Sequence, residues 1–246
     1  MAGEIRVGIG GWSFAPWRGT FFPKGVRQKD ELAFASRALG AIEINSTYYS
    51  SQKPHIFAGW ASETPEGFVF TLKASRFCTN RRILAGAGPS IEIFMNQGIG
   101  ELGDRLGPIL WQLADSKKFD PDDFAAFLDL FPQKLGERPL RHVIEARHES
   151  FADEGFVAMC RDRGVAICLT DHETFPMIDE ATADFTYVRL MRGGDEHAAC
   201  YPSADLDLWA RRLKAASARG DVFAFLIRGG KPRAPDGAMA LIERLG

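Results

Sequence analysis

Short, nearly continuous apolar runs alternate along the chain with stretches of helical periodicity. Such runs are typical of strands that are buried on both faces of a parallel sheet. Eight of them predict strands, at Ile5–Gly10, 41–45, 68–73, 108–113, 142–146, 165–170, Phe185–Leu190 and 222–227.

Helix signals fill several of the intervals between these runs. Asp120 followed by Pro121 is a typical helix start, with an N-cap and a proline at the first helical position. We expect Ser203 to cap a second helix, whose apolar face holds Leu206 and Trp209. The connection 171–184 lacks helical periodicity and is predicted to be mostly loop.

Strand–helix alternation over 246 residues predicts an α/β fold. Eight strands in a chain of this length favour one closed (β/α)8 TIM-type barrel that spans residues 1–246 as a single domain. The open dinucleotide-binding sheet is the weaker alternative, because the glycines of segment 8–12 do not have the G-x-G-x-x-G spacing.

The amino-acid composition argues against several classes of binding partner. The net charge of −2 gives no overall field that would attract nucleic acid or an anionic membrane. The four cysteines form no C-x-x-C pair and have no metal-finger spacing, and no apolar run is long enough to span a bilayer. We therefore expect a cytoplasmic protein with no cofactor, no nucleic-acid partner and no membrane association; the oligomeric state is left open.

The residues at the carboxyl ends of the predicted strands are the candidates for function, since barrels of this type have their active sites there. The candidates for acid–base or nucleophilic chemistry are Glu43, Lys73, Glu145 and Asp171, and the candidates for ligand binding are Trp12, Asn45, Tyr48, Gln112, Arg147, Arg189, Arg192 and Arg228. A structural interpretation also applies: Glu43, Glu145 and Arg147 could form an ion-pair network that fills the top of the barrel. Buried carboxylates require cations nearby, and Lys73, Arg147 and Arg189 can supply them.

Two Arg-Gly-Gly turns follow the seventh and eighth predicted strands. They begin at Arg192 and Arg228. Loops in these positions commonly hold phosphate in TIM barrels, and glycine lets backbone N–H groups approach an anion. The alternative is that the glycines only make tight turns while the arginines are solvated.

A set of collinear motifs resembles the DUF72 (YecE-like) family. The clearest are the glycine-rich opening at 8–13 with Trp17, the E-x-N-x-x-x-Y stretch at 43–49, F-x-x-K at 70–73, L-W-Q-L at 110–113, V-I-E-A-R-H-E-S-F at 143–151 and T-A-D-F-T-Y-V-R-L at 182–190. The resemblance implies a TIM-type barrel and carries no established activity. The sequence departs from the family pattern at Asn80, at Met191 with Arg192, and at Arg228.

These features favour an enzyme that acts on a small anionic metabolite, phosphorylated or carboxylated, at the carboxyl-terminal mouth of the barrel. Glu145 and Asp171 are candidate acid–base groups, and Lys73 is alternatively a Schiff-base nucleophile. A second hypothesis is a metal-dependent nuclease or sugar isomerase, in which Glu43, Glu145 and Asp171 with one histidine form an oxygen-rich site for magnesium or manganese. A third is a non-catalytic ligand-binding protein.

Overall fold

The computed structural model describes residues 2–227 and 230–246 and contains nine parallel strands in one sheet. The strands are β1 (Ile5–Gly10), β2 (Ala41–Ile44), β3 (Val69–Lys73), β4 (Leu106–Gln112), β5 (His142–Glu145), β6 (Ala166–Ile167), β7 (Leu169–Asp171), β8 (Phe185–Leu190) and β9 (Asp221–Leu226). A separate antiparallel pair joins Lys134–Leu135 to Arg138–Pro139.

Helices connect most of these strands. The α-helices are α1 (Glu31–Ala38), α2 (Ser46–Tyr49), α3 (Pro54–Glu63), α4 (Arg76–Thr79), α5 (Gly88–Met95), α6 (Pro121–Leu128), α7 (Glu154–Asp162), α8 (Ser203–Ser217) and α9 (Ala234–Leu245). Short 3-10 turns occupy Ala15–Trp17, Gln28–Asp30, Leu84–Ala87, Ile99–Arg105, Glu149–Phe151 and Lys231–Arg233. Within the described ranges, no helix is long and apolar enough to cross a bilayer.

The sheet curls into a nearly closed ring in the order β6-β5-β4-β3-β2-β1-β9-β8-β7. β6 and β7 are consecutive parts of one predicted strand, which is interrupted at Cys168. The backbone N–H of Cys168 still donates to the carbonyl of Ile144 on β5, at 2.8 Å. The prediction of an α/β barrel is therefore confirmed, with eight passes of the chain around the ring and one of them divided.

Alternate residues of each strand face opposite sides of the ring. One buried cluster fills the lumen, and a much larger one lies between the strands and the surrounding helices. The lumen cluster consists of Ala41, Val69, Leu110, Val143, Ala166, Cys168, Phe185, Tyr187, Phe223 and Phe225. The residue two positions beyond a lumen residue also points inward. The last inward-facing residue of each strand therefore places its side chain at the mouth of the ring.

Two of the local predictions are confirmed and one is wrong. The Asp120 carboxylate accepts a hydrogen bond from the N–H of Asp123 and caps α6, and the connection between Asp171 and Phe185 contains no helix. Ser203 does not cap α8 but is its first residue, after Pro202. Its hydroxyl instead accepts a hydrogen bond from Arg244 of α9, at 2.8 Å.

Candidate functional site

A buried arginine bridges two carboxylates at the carboxyl-terminal mouth of the ring. Arg189 of β8 is 2% exposed. Its Nε and Nη2 donate to the two oxygens of Glu43 at 3.1 and 3.0 Å, and its Nη1 donates to Oε2 of Glu145. Burial opposes the charge of Arg189, but Glu145 and Glu43 raise its pKa above the ordinary value. One guanidinium therefore joins β2, β5 and β8 across the lumen.

Glu43 also accepts a hydrogen bond from a lumen tyrosine. The hydroxyl of Tyr187 donates to Oε2 of Glu43 at 2.7 Å and lies 3.0 Å from Oγ1 of Thr71. Burial and the negative charge of Glu43 raise the pKa of Tyr187 well above its usual value, so the phenol stays protonated and acts as a donor. Both oxygens of Glu43 are thus satisfied within the protein.

Glu145 is surrounded by donors in the same way. Nε of Arg147 donates to its Oε1 at 2.9 Å, and Nε2 of Gln112 donates to its Oε2 at 2.9 Å. Burial alone would raise the pKa of Glu145, but Arg189, Arg147 and the hydrogen bonds lower it to about 2. Glu145 is therefore ionised and held firmly, which makes it a poor proton donor at neutral pH.

Lys73 lies beside this network without joining it. The residue is 7% exposed, and its Nζ is 3.9 Å from the centroid of the Tyr48 ring. Burial lowers the pKa of Lys73 to about 8, helped by Arg189 and partly offset by Glu43 and Glu145. Among the described residues, no carboxylate oxygen lies within 4.0 Å of its Nζ and no hydrogen-bond partner is present.

Positive charge is in excess at the mouth when Lys73 is protonated. Glu43 and Glu145 carry two negative charges, and three cations, namely Lys73, Arg147 and Arg189, act on them. The two arginines already match the two carboxylates. The arrangement can therefore accept one further negative charge next to Lys73 without leaving any charge unbalanced.

Arg147 borders the mouth and is covered by the connection between β7 and β8, which contains no helix. Its guanidinium carbon lies 4.8 Å from the ring centroid of Phe175, which stacks on His172 at 3.7 Å. Only Nε of Arg147 has an acceptor among the described residues, so its two Nη groups can still donate. The nearby His148 uses Nδ1 to accept the N–H of Ser150 and so stabilises a local turn.

The structure separates Asp171 from the other predicted acid–base residues. Cys168 and Thr170 point into the lumen, whereas Leu169 packs in the outer cluster and Asp171 lies on that same outer side. Its carboxylate accepts a hydrogen bond from the Tyr201 hydroxyl at 2.8 Å, and burial raises its pKa. The structure therefore does not bring Asp171 together with Glu43 and Glu145, because Asp171 follows the inward-facing Thr170 and takes the opposite face of the strand.

The structure places the turn at Arg192 away from the network at the mouth. Arg192 is 56% exposed and lies 3.7 Å from Asp171, outside the ring. Its backbone N–H donates to Tyr201, and that of Gly194 donates to the carbonyl of Cys200, so neither is available to an anion. A side chain on Gly193 would lie 2.3 Å from Sγ of Cys200, which explains the glycine by close packing. Arg228, the other arginine predicted to hold an anion, lies outside the described residues.

The remaining ligand candidates lie around the edge of the mouth. Asn45 immediately precedes α2, and its side-chain nitrogen would lie 3.1 Å from a methyl group placed on Gly10. Trp12 packs edge-on against Trp60, with 5.3 Å between the ring centroids, which indicates a packing role. No group of three or more metal-ligating side chains occurs within residues 2–227 and 230–246.

Sequence reasoning did not select Tyr187, Thr71 or Tyr201. Two of them could have been found from strand periodicity: Tyr187 is two residues before Arg189, and Thr71 is two before Lys73, so each shares a face with a selected residue. Tyr201 lies in a loop after β8, where no periodic signal exists.

The comparisons with known proteins agree with this architecture. A DUF72 family protein from Thermotoga maritima MSB8 has a similar structure, with a TM-score of 0.81 and 22% identity over 98% of this chain and 99% of that one. A DUF72 family protein from Enterococcus faecalis V583 has a TM-score of 0.79 and 16% identity, over 98% of this chain and 95% of that one. The structure of SacUVDE has a TM-score of 0.62 and 9% identity, over 98% of this chain and 99% of that one. At these identities the similarities show the fold alone.

Sequence comparison is more specific. No curated protein matches the chain. Residues 6–246, however, match the family described as protein of unknown function DUF72, and the chain is therefore a member of that family.

Proposed function

We propose that this protein is an enzyme that acts on a small anionic metabolite at the carboxyl-terminal mouth of its barrel. Lys73 is the reactive group, Arg147 binds the anion, and the Glu43–Arg189–Glu145 network is the rigid support beneath them. One observation carries the proposal: Lys73 is a buried amine that has no counter-ion within residues 2–227 and 230–246, next to carboxylates that are already satisfied.

The charges at the mouth support an anionic ligand. A buried cation without a partner is costly, and a carboxylate or phosphate beside Lys73 removes that cost. Arg147 adds two guanidinium nitrogens that have no acceptor among the described residues, and guanidinium groups hold carboxylate and phosphate through paired hydrogen bonds. The ligand would therefore lie between these two side chains.

The perturbed amine supports catalysis over passive binding. A lysine whose pKa is about 8 is partly neutral near physiological pH and can act as a nucleophile or a base. Glu145, in contrast, is fixed in its ionised form by three donors. Lys73 thus takes the central role, and Glu145 positions Arg147 and Arg189.

Ligand binding tests the first half of the proposal. The wild-type protein is titrated calorimetrically with inorganic phosphate and with a series of small carboxylates and phosphate monoesters. Arg147→Gln should weaken binding about tenfold or more, because a charge-assisted hydrogen bond contributes roughly 1.5–3 kcal/mol. Arg192→Gln is the matched control and should bind normally, since Arg192 lies outside the ring. Absence of binding to every compound would refute an anion site at the mouth.

Measurement of turnover tests the second half of the proposal, that the protein is an enzyme. Compounds that bind are incubated with the enzyme and followed by NMR for chemical change. Lys73→Met should retain the fold and lose turnover. Binding without any conversion in the wild type would instead support a non-catalytic ligand-binding protein.

A further inference from the structure

We propose that Lys73 forms a covalent imine with the carbonyl carbon of a small aldehyde or ketone that also carries a carboxylate or phosphate. This inference rests on the proposed function and names its substrate class.

Nζ of Lys73 has no hydrogen-bond partner in the part of the chain that the structure describes, but it can still be reached. Three buried side-chain polar atoms of the described residues are sealed from solvent and lack a hydrogen-bond partner: Glu31 Oε2, Thr79 Oγ1 and Arg81 Nη1. Nζ of Lys73 also lacks a partner yet is not one of these enclosed atoms, so it contacts solvent at the mouth. An amine in that state has a lone pair that no neighbouring group occupies.

The groups around Lys73 hold the amine in place, and burial lowers its pKa to about 8, so a fraction of it is neutral near pH 7.5. The Tyr48 ring lies against Nζ at 3.9 Å, and the charge of Arg189 opposes protonation. Glu43 and Glu145 are the nearby anions, but both are engaged by Arg189. The amine therefore has no strong ion pair to break before it attacks a carbonyl.

The chemical step balances without any further reactant. The nitrogen lone pair forms a C–N bond while the carbonyl π pair moves to oxygen, which takes a proton and gives a carbinolamine. The nitrogen then expels that oxygen as water, and the two hydrogens lost by the amine leave with it. The product is an imine plus one water, and addition of water reverses the step. When protonated, the imine nitrogen attracts electrons from the neighbouring carbon, which is the purpose of Schiff-base catalysis.

The anionic part of the substrate is recognised separately. The two Nη groups of Arg147, which have no acceptor within the described ranges, lie at the same mouth as Lys73, since both residues interact with Glu145. A carboxylate on Arg147 would hold the carbonyl near Nζ, and such positioning raises the effective concentration of the reacting groups. A neutral aldehyde lacks this contact and should react more slowly.

Reductive trapping tests the imine on the intact chain. Wild-type protein is incubated near pH 7.5 with glyoxylate, pyruvate or the uncharged acetaldehyde, reduced with cyanoborohydride, and analysed by intact mass and peptide mapping. We expect one adduct per chain, on Lys73, formed with glyoxylate at least tenfold faster than on Lys118, an exposed lysine of the same end of the barrel. Arg147→Gln should slow trapping by glyoxylate by a larger factor than trapping by acetaldehyde, because Arg147 contacts the carboxylate that only glyoxylate carries.

The outcomes separate this inference from the proposed function. Adducts spread over exposed lysines, with Lys73 unmodified, would overturn the imine; if phosphate or carboxylates still bound in the calorimetric titration, the anion site would stand. If reductive trapping and calorimetric titration both gave no signal, the imine and the anion site would both be refuted. The mapping uses wild-type protein, so the test does not depend on whether Lys73→Met folds; Lys73→Arg, which keeps the charge, should give no adduct at this position.

Discussion

Arg189 donates to both carboxylate oxygens of Glu43 at 3.1 and 3.0 Å, although 146 positions separate the two residues in the chain. The same guanidinium reaches Glu145, so two carboxylates share one cation inside the ring. Buried charges of this kind contribute little net stability as a set, but each depends on the others.

Loss of the shared cation should be strongly destabilising. Arg189→Met keeps most of the side-chain volume but leaves the two buried carboxylates without their central partner. Removing one partner of a buried ion pair costs about 3–5 kcal/mol. Urea unfolding at pH 7.5 measures this loss, and Arg192→Met, at an exposed position, should change stability by less than about 0.5 kcal/mol. Similar losses for the two variants would contradict a structural role for the bridge.

Stability should fall as the pH is lowered from 6.5 to 4, because His142 must stay neutral. Nε1 of Trp111 donates to its Nδ1 at 3.1 Å, and its Nε2 lies 2.7 Å from the carbonyl of Pro132. Burial lowers the pKa of His142 to about 4, only partly opposed by Pro132. The unfolded chain binds the proton first, so the contribution is complete above pH 6.5 and is lost as the pH falls toward 4.

The size of this effect follows from the pKa shift. A pKa shift of this size changes the free energy of unfolding by about 3 kcal/mol between the two pH limits. Urea unfolding at several pH values should show a shallower decline for His142→Gln than for wild type. His55→Gln, at an exposed site, should keep the wild-type profile. Parallel profiles for wild type and His142→Gln would show that another group controls the acid response.

Gly193 should not tolerate even one added methyl group. An alanine there would place Cβ 2.3 Å from Sγ and 2.8 Å from the carbonyl oxygen of Cys200. Cys200 already has a φ of 64°, so the loop has little freedom to move away. We expect Gly193→Ala to lose about 1–3 kcal/mol. Gly59→Ala is the control: it lies in α3 with no atom within 4 Å and should stabilise or leave unfolding unchanged.

The sequence was sufficient to predict the barrel and the carboxyl ends at which Glu43, Lys73 and Glu145 meet. Continuous apolar strands imply a parallel sheet, and parallel strands bring their carboxyl ends to one edge. Which face a residue takes is harder to predict, because a continuous apolar run shows no alternation. The run at 165–170 gives no sign that Thr170 points inward, so the sequence does not show that Asp171 takes the outer face.

The glycines that follow Arg192 are a second feature whose role the sequence does not determine. Gly193 and Gly194 fit a phosphate loop and a packing site equally well in the sequence, since both need a missing side chain. The difference lies in where the neighbouring N–H groups donate. Those of Arg192 and Gly194 are already bonded to Tyr201 and Cys200, which are contacts that no local pattern encodes.

The pairing of β1 with β9 has a consequence for how the chain folds. At this seam the backbone N–H of Glu4 donates to the Asp221 side chain at 3.0 Å, across 217 positions. Contacts between such distant residues form slowly, because the entropy of closing the loop is lost before the contact is gained. During synthesis the first strand must therefore wait with one edge unpaired until the last strand emerges, and that exposed edge makes the nascent chain most prone to aggregate.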